Sequence, residues 1–166
     1  PACISLSQDV QGEVFEYPED LFKERVHVIR RSKPDDYQIK EAAEFIKKSK
    51  KPLIISGGGV FYSDATDELS SFASKHNIPV TQTIMGYSTM KKDHSHYLGA
   101  IGGLGGRAAN NLSKETDMAI AIGTKLADFT TGSWANFENP DFKLVSINAG
   151  RFDANKHMAQ AIVGDA

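Results

Sequence analysis

Short apolar runs alternate with amphipathic stretches along most of the chain. The clearest runs, at residues 53–55, 118–122 and 144–147, contain almost no polar side chains. Such runs are typical of parallel strands that are buried on both faces. With three weaker runs included, the predicted strands are 52–56, 78–83, 97–101, 118–122, 144–147 and 161–163. Their alternation with helical stretches predicts a Rossmann-like, three-layer α/β/α fold with a parallel sheet of about six strands.

Residues with known capping preferences mark the predicted helices. Pro34, followed by two aspartates, predicts a helix start, because proline is pre-set for the first turn and acids suit the positive end of the helix dipole. Ser63 and Asp64 are candidate N-caps of the next helix, and Asn77 is its candidate C-cap. Two further helices are predicted over residues 107–114 and 152–157.

Three consecutive glycines, Gly57–Gly59, end the first predicted strand. Glycines allow the backbone to turn through positive φ and leave peptide N–H groups uncovered by a Cβ. Such a turn can hold an anion at a helix N-terminus, or it can let helix and strand pack closely. In open α/β sheets ligands bind at the carboxyl ends of the strands, where the strand order reverses. The loops after residues 56, 122 and 147 are therefore the candidate site.

A second glycine-rich stretch, residues 103–108, formally matches the G-x-G-x-x-A dinucleotide pattern. The match is a weak signal, because a long strand should precede it and an acid should follow about 20 residues later. At the end of a later strand, Asn148 stands where an acid often holds a ribose. We therefore predict at most a vestigial nucleotide shelf. Its candidate residues are Gly57, Gly58, Gly103, Gly105, Gly123, Lys125 and Asn148.

Two histidines in one loop are the candidate metal ligands. His94 and His96 follow Asp93, and histidine and aspartate both bind metals. A third or fourth ligand is not evident nearby, so an ordinary surface loop is the favoured interpretation. We predict neither a metal site nor a catalytic residue in this chain.

Residues 1–34 lack a clear hydrophobic period and are interpreted as a connector from a preceding domain, with the Rossmann-like domain at 35–166. The chain opens on Pro1 and stops just after the predicted final strand, so we expect it to be one domain of a longer polypeptide.

Composition excludes several classes of protein. The 166 residues carry a formal net charge of −2, which gives no electrostatic reason to expect nucleic acid or an anionic membrane as a partner. No apolar run approaches the roughly 20 residues that span a bilayer. The single cysteine, Cys3, cannot form an internal disulfide, which fits the cytoplasm.

Several stretches resemble the central domain of thiamine-diphosphate-dependent enzymes, the superfamily of acetolactate synthase. They are SKKPLIISGGG at 49–59, LGAIGGLG at 98–105, TDMAIAIGTKLADFTTG at 116–132, KLVSINAGRFDANK at 143–156 and AIVGDA at 161–166. Three others, LSQDVQGE at 6–13, DFTTGSW at 128–134 and SINAGRFDA at 146–154, resemble most a hydrolase branch of inositol catabolism.

The resemblance implies a three-domain parent protein that is a homo-oligomer. In that superfamily thiamine diphosphate and Mg²⁺ bind to the other two domains, which are the expected partners of this one. The GDA at 164–166 superficially resembles their metal-binding GDG motif, but no asparagine follows it, so we reject it as a metal site. The isolated domain is accordingly expected to be inactive.

The resemblance also bears on flavin. Members that hold FAD in this domain carry a GARFDDR-type loop, which matches residues 123–129. Lys125 and Phe129 stand where two arginines would be, and the loss of two guanidinium groups makes FAD unlikely. Three alternatives remain: a stand-alone ADP- or FAD-binding module with its glycines and Lys125 around a phosphate, a domain of an acetolactate-synthase-like carboligase, and, least favoured, a nicotinamide dehydrogenase.

Overall fold

Six parallel strands form one sheet in the order β3-β2-β1-β4-β5-β6 in the computed structural model, which describes residues 3–166. The strands are β1 (Pro52–Ser56), β2 (Val80–Gln82), β3 (Tyr97–Ala100), β4 (Met118–Ile122), β5 (Lys143–Asn148) and β6 (Gln160–Val163). The helices are α1 (Gln8–Gln11), α2 (Asp36–Lys48), α3 (Gly58–Tyr62), α4 (Thr66–His76), α5 (Arg107–Glu115), α6 (Asp128–Thr131) and α7 (Arg151–Ala154). The predicted fold class is confirmed.

The chain divides into two units, one that ends at Arg30 and one that comprises Arg31–Ala166. The described part of the first unit contains α1 and a 3₁₀ turn at Glu19–Phe22. The apolar side chains of Phe22, Val26 and Ile29 are exposed, and residues 23–30 are not helical. Residues 3–6 are not part of a strand. The role of this unit as a connector stays a prediction.

Two apolar layers cover the two faces of the sheet, because successive side chains of a strand point in opposite directions. On β1, Ile54 belongs to one buried cluster, while Leu53 and Ile55 belong to the other. The first cluster includes Ala42 of α2 and Leu69 of α4, and the second includes residues from the α5 side. This arrangement is the predicted α/β/α sandwich. Within residues 3–166, none of the helices is long and apolar enough to cross a bilayer.

The predicted caps are only partly correct. Helix α2 starts at Asp36, so Pro34 precedes the N-cap and does not lie in the first turn; the cap is Asp35, whose carboxylate accepts a hydrogen bond from Tyr37 N at 2.7 Å. Asn77 ends α4 as predicted, at φ 52°. Ser63 and Asp64 do not start α4, however: Ser63 ends α3, and α4 begins later, at Thr66. The glycines after β1 add a short helix of their own, which displaces the next one. The last predicted helix is likewise replaced by α7 and a separate 3₁₀ turn at Lys156–Met158.

The glycines at 57–59 allow two backbone segments to approach closely, and they do not adopt positive φ. Gly57 has φ −109°, in the extended region that any residue adopts. A Cβ on Gly57 would lie 2.3 Å from Gly123 O, and one on Gly59 would lie 2.4 Å from Gly123 Cα. The expectation of positive φ is therefore wrong for Gly57, Gly58 and Gly59 alike, whereas Gly123, which faces them, has φ 60° in the left-handed region. The backbones after β1 and β4 touch directly.

At the amino-terminal ends of the strands, Asp117 connects the start of β4 to the turn before β1 through hydrogen bonds. Its carboxylate accepts hydrogen bonds from the Ser49 hydroxyl, from Lys50 N at 2.7 Å and from Lys51 N at 3.0 Å. Partial burial raises the pKa of Asp117, but the three hydrogen bonds outweigh it and hold the pKa below its ordinary value.

We expect Asp117→Ala to lower the free energy of unfolding by about 1–3 kcal/mol at neutral pH, because hydrogen bonds to a charged group are lost. The carboxyl is more acidic when folded, so its contribution is present above its unfolded pKa and disappears as the pH falls through the lower folded pKa. Urea unfolding at pH 7 and at pH 3 checks this result. A destabilisation that is equal at both pH values would contradict it.

Candidate functional site

A cleft of about 540 Å³ opens at the carboxyl ends of β1 and β4. These strands are neighbours, but β2 continues the sheet on one side and β5 on the other, so the strand order reverses between them. This is the position at which doubly wound folds bind ligands. The cleft is lined by Gly58, Gly59, Tyr62, Thr83, Ile84, Met85, Gly123, Thr124, Lys125, Ala127 and Thr130.

The peptide N–H groups of three switch-point glycines are already engaged. Gly57 N donates to Ile122 O at 2.8 Å, and Gly59 N donates to Gly123 O at 2.9 Å. Gly123 N donates to Ile147 O at 2.8 Å. Phosphate binding at a glycine turn depends on N–H groups that point freely at the anion. Here these donors tie three neighbouring strand ends together.

The second glycine-rich stretch lies apart from the cleft lining. Gly103 N donates to Phe129 O, and Gly105 N donates to Gly102 O, both at 2.8 Å. Gly102 packs so closely that a Cβ would lie 2.0 Å from Phe129 O. This loop therefore fits against α6, and its resemblance to a dinucleotide pattern has a packing explanation.

Lys125 and Asn148 differ in what they can offer a ligand. Lys125 is exposed and lines the cleft. Asn148 uses both ends of its amide within the chain: Nδ2 donates to Thr124 O at 3.1 Å, and Oδ1 accepts from Gly150 N at 2.8 Å. Of the seven candidate residues, the structure brings Gly58, Gly123 and Lys125 into the cleft, with Gly57 beside it. Gly103, Gly105 and Asn148 are not among the lining residues.

Sequence reasoning missed a buried polar network beneath one wall of the cleft. Thr89 Oγ1 lies 2.7 Å from Ser56 Oγ, accepts from Gln82 Nε2 at 3.2 Å and donates to Gly86 O at 2.8 Å. Ser56, Gln82 and Thr89 are all buried. The signal was present in the sequence, because β2 contains the polar pair Thr81-Gln82 where a buried strand should be apolar.

This network, called here the Thr89 network, holds the loop after β2 in place. The loop starts with a 3₁₀ turn at Ile84–Gly86, and the Thr83 hydroxyl accepts from Gly86 N at 3.0 Å. Ile84 and Met85 are 56% and 73% exposed, although both are apolar and line the cleft. Exposed apolar side chains on a hydrogen-bonded loop are suited to contact with another apolar surface.

The side chains of His94 and His96 connect their loop to the end of α4 through hydrogen bonds. His94 Nε2 lies 3.1 Å from Ser74 Oγ, and His94 Nδ1 accepts from His96 N at 3.2 Å. His96 Nε2 lies 2.8 Å from Asn77 Oδ1, and its Nδ1 lies 3.0 Å from Ser95 Oγ. Each of the four ring nitrogens thus has a partner. Across residues 3–166, no cluster of three or more His, Cys, Asp or Glu side chains is arranged to hold a metal.

The acid of the terminal GDA sequence is committed to protein partners. Asp165 Oδ2 accepts from Arg31 Nη1 at 2.7 Å, and Asp165 Oδ1 accepts from Ser63 Oγ at 2.7 Å. Binding of Mg²⁺ requires carboxylate oxygens that are free to coordinate the ion. These residues therefore do not fit the metal-bound diphosphate of thiamine diphosphate.

Residues 39–166 match the sequence profile of the family "thiamine pyrophosphate enzyme, central domain". The chain belongs to this family of thiamine-diphosphate-enzyme central domains. Curated relatives named 3D-(3,5/4)-trihydroxycyclohexane-1,2-dione hydrolase match nearly the whole chain. The Clostridium botulinum (strain Alaska E43 / Type E3) protein is 49% identical over 99% of this chain and 26% of its own length. The Clostridium perfringens (strain 13 / Type A) protein is 45% identical over the same shares.

The chain spans about a quarter of the length of these relatives. A crystal structure of a protein from Mycobacterium smegmatis, assigned to the thiamin diphosphate-dependent enzymes, superposes with a TM-score of 0.65. The superposition covers 85% of this chain and 28% of that one, at 20% identity, and it supports the fold alone.

Proposed function

We propose that this chain is the central domain of a thiamine-diphosphate-dependent hydrolase that opens 3D-(3,5/4)-trihydroxycyclohexane-1,2-dione to 5-deoxyglucuronate in myo-inositol catabolism. The support is the family membership of residues 39–166 and the relatives with this name, at 45–49% identity over 99% of the chain. Their similarity extends beyond the family profile into residues before 39.

The reaction adds one water across the C–C bond between the two carbonyl carbons of the ring. That bond breaks, one carbon becomes the carboxylate, and the other becomes the aldehyde. The structural observation that supports a non-catalytic role for this domain is that the N–H groups of Gly57, Gly59 and Gly123 already donate to backbone carbonyls. We infer that thiamine diphosphate and Mg²⁺ bind to regions of the parent protein outside this chain. We also propose that the parent protein is cytoplasmic.

The carboxyl edge of the sheet supports a contact role for this domain. Tyr62, Ile84 and Met85 are exposed around the cleft, and the Thr89 network holds the loop that carries two of them. We propose that this edge contacts the catalytic domains and forms a wall of the substrate channel. We further propose that the parent protein is a homo-oligomer and does not require FAD.

A chimera tests the proposal. The matching quarter of the Clostridium botulinum relative is replaced by this chain, and ring opening is assayed with thiamine diphosphate and Mg²⁺. We expect activity within about tenfold of the parent, since a well-positioned scaffold leaves the catalytic geometry intact. The isolated 166-residue chain, as the matched control, should show no ring opening. Ring opening by the isolated chain, or acetolactate formation from pyruvate by the chimera without ring opening, would contradict the proposal.

One observation favours a second candidate function, a nucleotide-binding module. Gly58 and the exposed Lys125 line the same cleft at the switch point. A module of this kind would bind ADP or FAD with a micromolar Kd, and Lys125→Ala would weaken binding at least about tenfold through the loss of a phosphate contact. The engaged glycine N–H groups favour the first proposal over this one.

A further inference from the structure

The final residues of the chain and the residues just after Arg30 meet at one place in the second unit. Arg31 and Ser63 both donate to the Asp165 carboxylate, at 2.7 Å each. Asp165 N donates to Ser32 O at 2.8 Å, and Ala166 N donates to Ser63 Oγ at 3.0 Å. Two side-chain and two backbone donors therefore join three separate segments of the chain.

Close packing accompanies these hydrogen bonds. A Cβ on Gly164 would lie 2.7 Å from Pro34 Cδ and 2.8 Å from Pro34 N, so the two segments cross in direct contact. The Arg31 side chain is 49% exposed and that of Asp165 is 26% exposed. An isolated ion pair at such a surface contributes little, but a carboxylate with both oxygens engaged in charge-assisted or neutral hydrogen bonds is positioned more firmly.

Ser63 connects the Asp165 carboxylate to the helix that lines the cleft. Ser63 is the C-terminal cap of α3, and its backbone N donates to Gly59 O at 2.9 Å. Helix α3 supplies Gly58, Gly59 and Tyr62 to the cleft lining. The Asp165 carboxylate thus links the start of the second unit, the end of its last strand and the helix of the switch point.

We propose that Arg31, Ser63 and Asp165 form a latch that fixes residues 31–34 on the second unit and holds the end of α3. The second unit then begins at a fixed position, next to the end of α3. The latch is a structural feature of this domain, and the proposal does not depend on whether the parent protein opens the cyclic dione.

Limited digestion with trypsin tests the latch, because two neighbouring arginines differ in their restraint. Trypsin must bind the arginine side chain that precedes the cleaved bond. Arg30 belongs to the first unit and is exposed, whereas the Arg31 guanidinium is held by Asp165. Mass spectrometry of the full 166-residue chain should show faster cleavage after Arg30 than after Arg31.

In Asp165→Asn, which keeps the shape and removes the charge, cleavage after Arg31 relative to Arg30 should rise about threefold to tenfold. Ser63→Ala removes one partner and should give a smaller rise, and it keeps the test valid if the first variant folds poorly. Glu138→Gln, which breaks the exposed pair with Lys114, is the matched control and should leave the ratio unchanged. Equal cleavage after both arginines in the unmodified chain, or a ratio unaffected by both latch variants, would overturn the proposal.

Discussion

Replacing Gly59 by alanine is expected to destabilise the chain by about 3 kcal/mol or more, which is the upper range for overpacking in a core. The new Cβ would lie 2.4 Å from Gly123 Cα and 3.0 Å from Gly123 O. Both are backbone atoms, so no side chain can rotate away. Gly123 is itself fixed by its hydrogen bond to Ile147 O, and the turn after β1 would have to separate from β4.

Urea unfolding followed by circular dichroism measures this effect. Gly106→Ala is the matched control, because a Cβ there meets nothing within 4 Å and Gly106 has φ −74°. The control should change stability by less than about 1 kcal/mol, since Gly106 is only a helix N-cap. If both variants unfold at the same urea concentration, the close approach of the two backbones does not limit stability and this explanation of the glycines fails.

Thr89→Val is the second substitution with a large expected effect, a loss of about 2–3 kcal/mol. Valine has nearly the same shape but removes the hydroxyl that contacts Ser56 Oγ, Gln82 Nε2 and Gly86 O. Each of these groups keeps one other partner: Thr81 O for Ser56 Oγ, Met90 O for Gln82 Nε2 and Thr89 N for Gly86 O. The expected loss is therefore that of three buried hydrogen bonds, at about 1 kcal/mol each.

Denaturant unfolding gives the total loss, and hydrogen exchange locates it. Amides of residues 84–90 should exchange faster in Thr89→Val, while amides of β4 keep their protection relative to global stability. Ser70→Ala removes a hydroxyl that only bonds back to Thr66 O within α4, and should cost about 0.5 kcal/mol or less. Uniform loss of protection across the sheet, or no loss in the loop, would show that the Thr89 network does not hold that loop.

The strands could be predicted because their signal is local. Each buried strand is a run of apolar residues that needs no partner to be recognised, and β4 has the predicted bounds Met118–Ile122. Strand β2 is shorter than predicted, at Val80–Gln82, because Ile78 and Pro79 precede its paired region. The parallel order follows from the alternation of strands and helices.

The packing roles of the glycines could not be predicted, because they depend on residues distant in sequence. Gly57 meets Gly123 only after β1 and β4 have paired in register, and nothing near residue 57 specifies that neighbour. The same limit explains the errors at Ser63 and Asp64, since a glycine turn that also forms α3 delays the next helix.

The cleft involves two of the three loops predicted as the candidate site, those after residues 56 and 122, whereas the loop after residue 147 contributes no lining residue. The switch point followed from fold class, and the cleft lies there. Gly103 and Gly105 were included on a local pattern that the structure explains through contact with Phe129. The loop with Ile84 and Met85 was missed, because exposed apolar residues look like core residues in a sequence.

Calorimetric titration of this chain with ADP and with FAD tests most directly whether the Rossmann-like domain has a structural role and does not bind nucleotides. We expect no heat beyond dilution at ligand concentrations up to about 1 mM, which means that any Kd is weaker than about 1 mM and any free energy of binding is smaller in magnitude than about 4 kcal/mol. A saturable signal with a micromolar Kd that Lys125→Ala abolishes would contradict it.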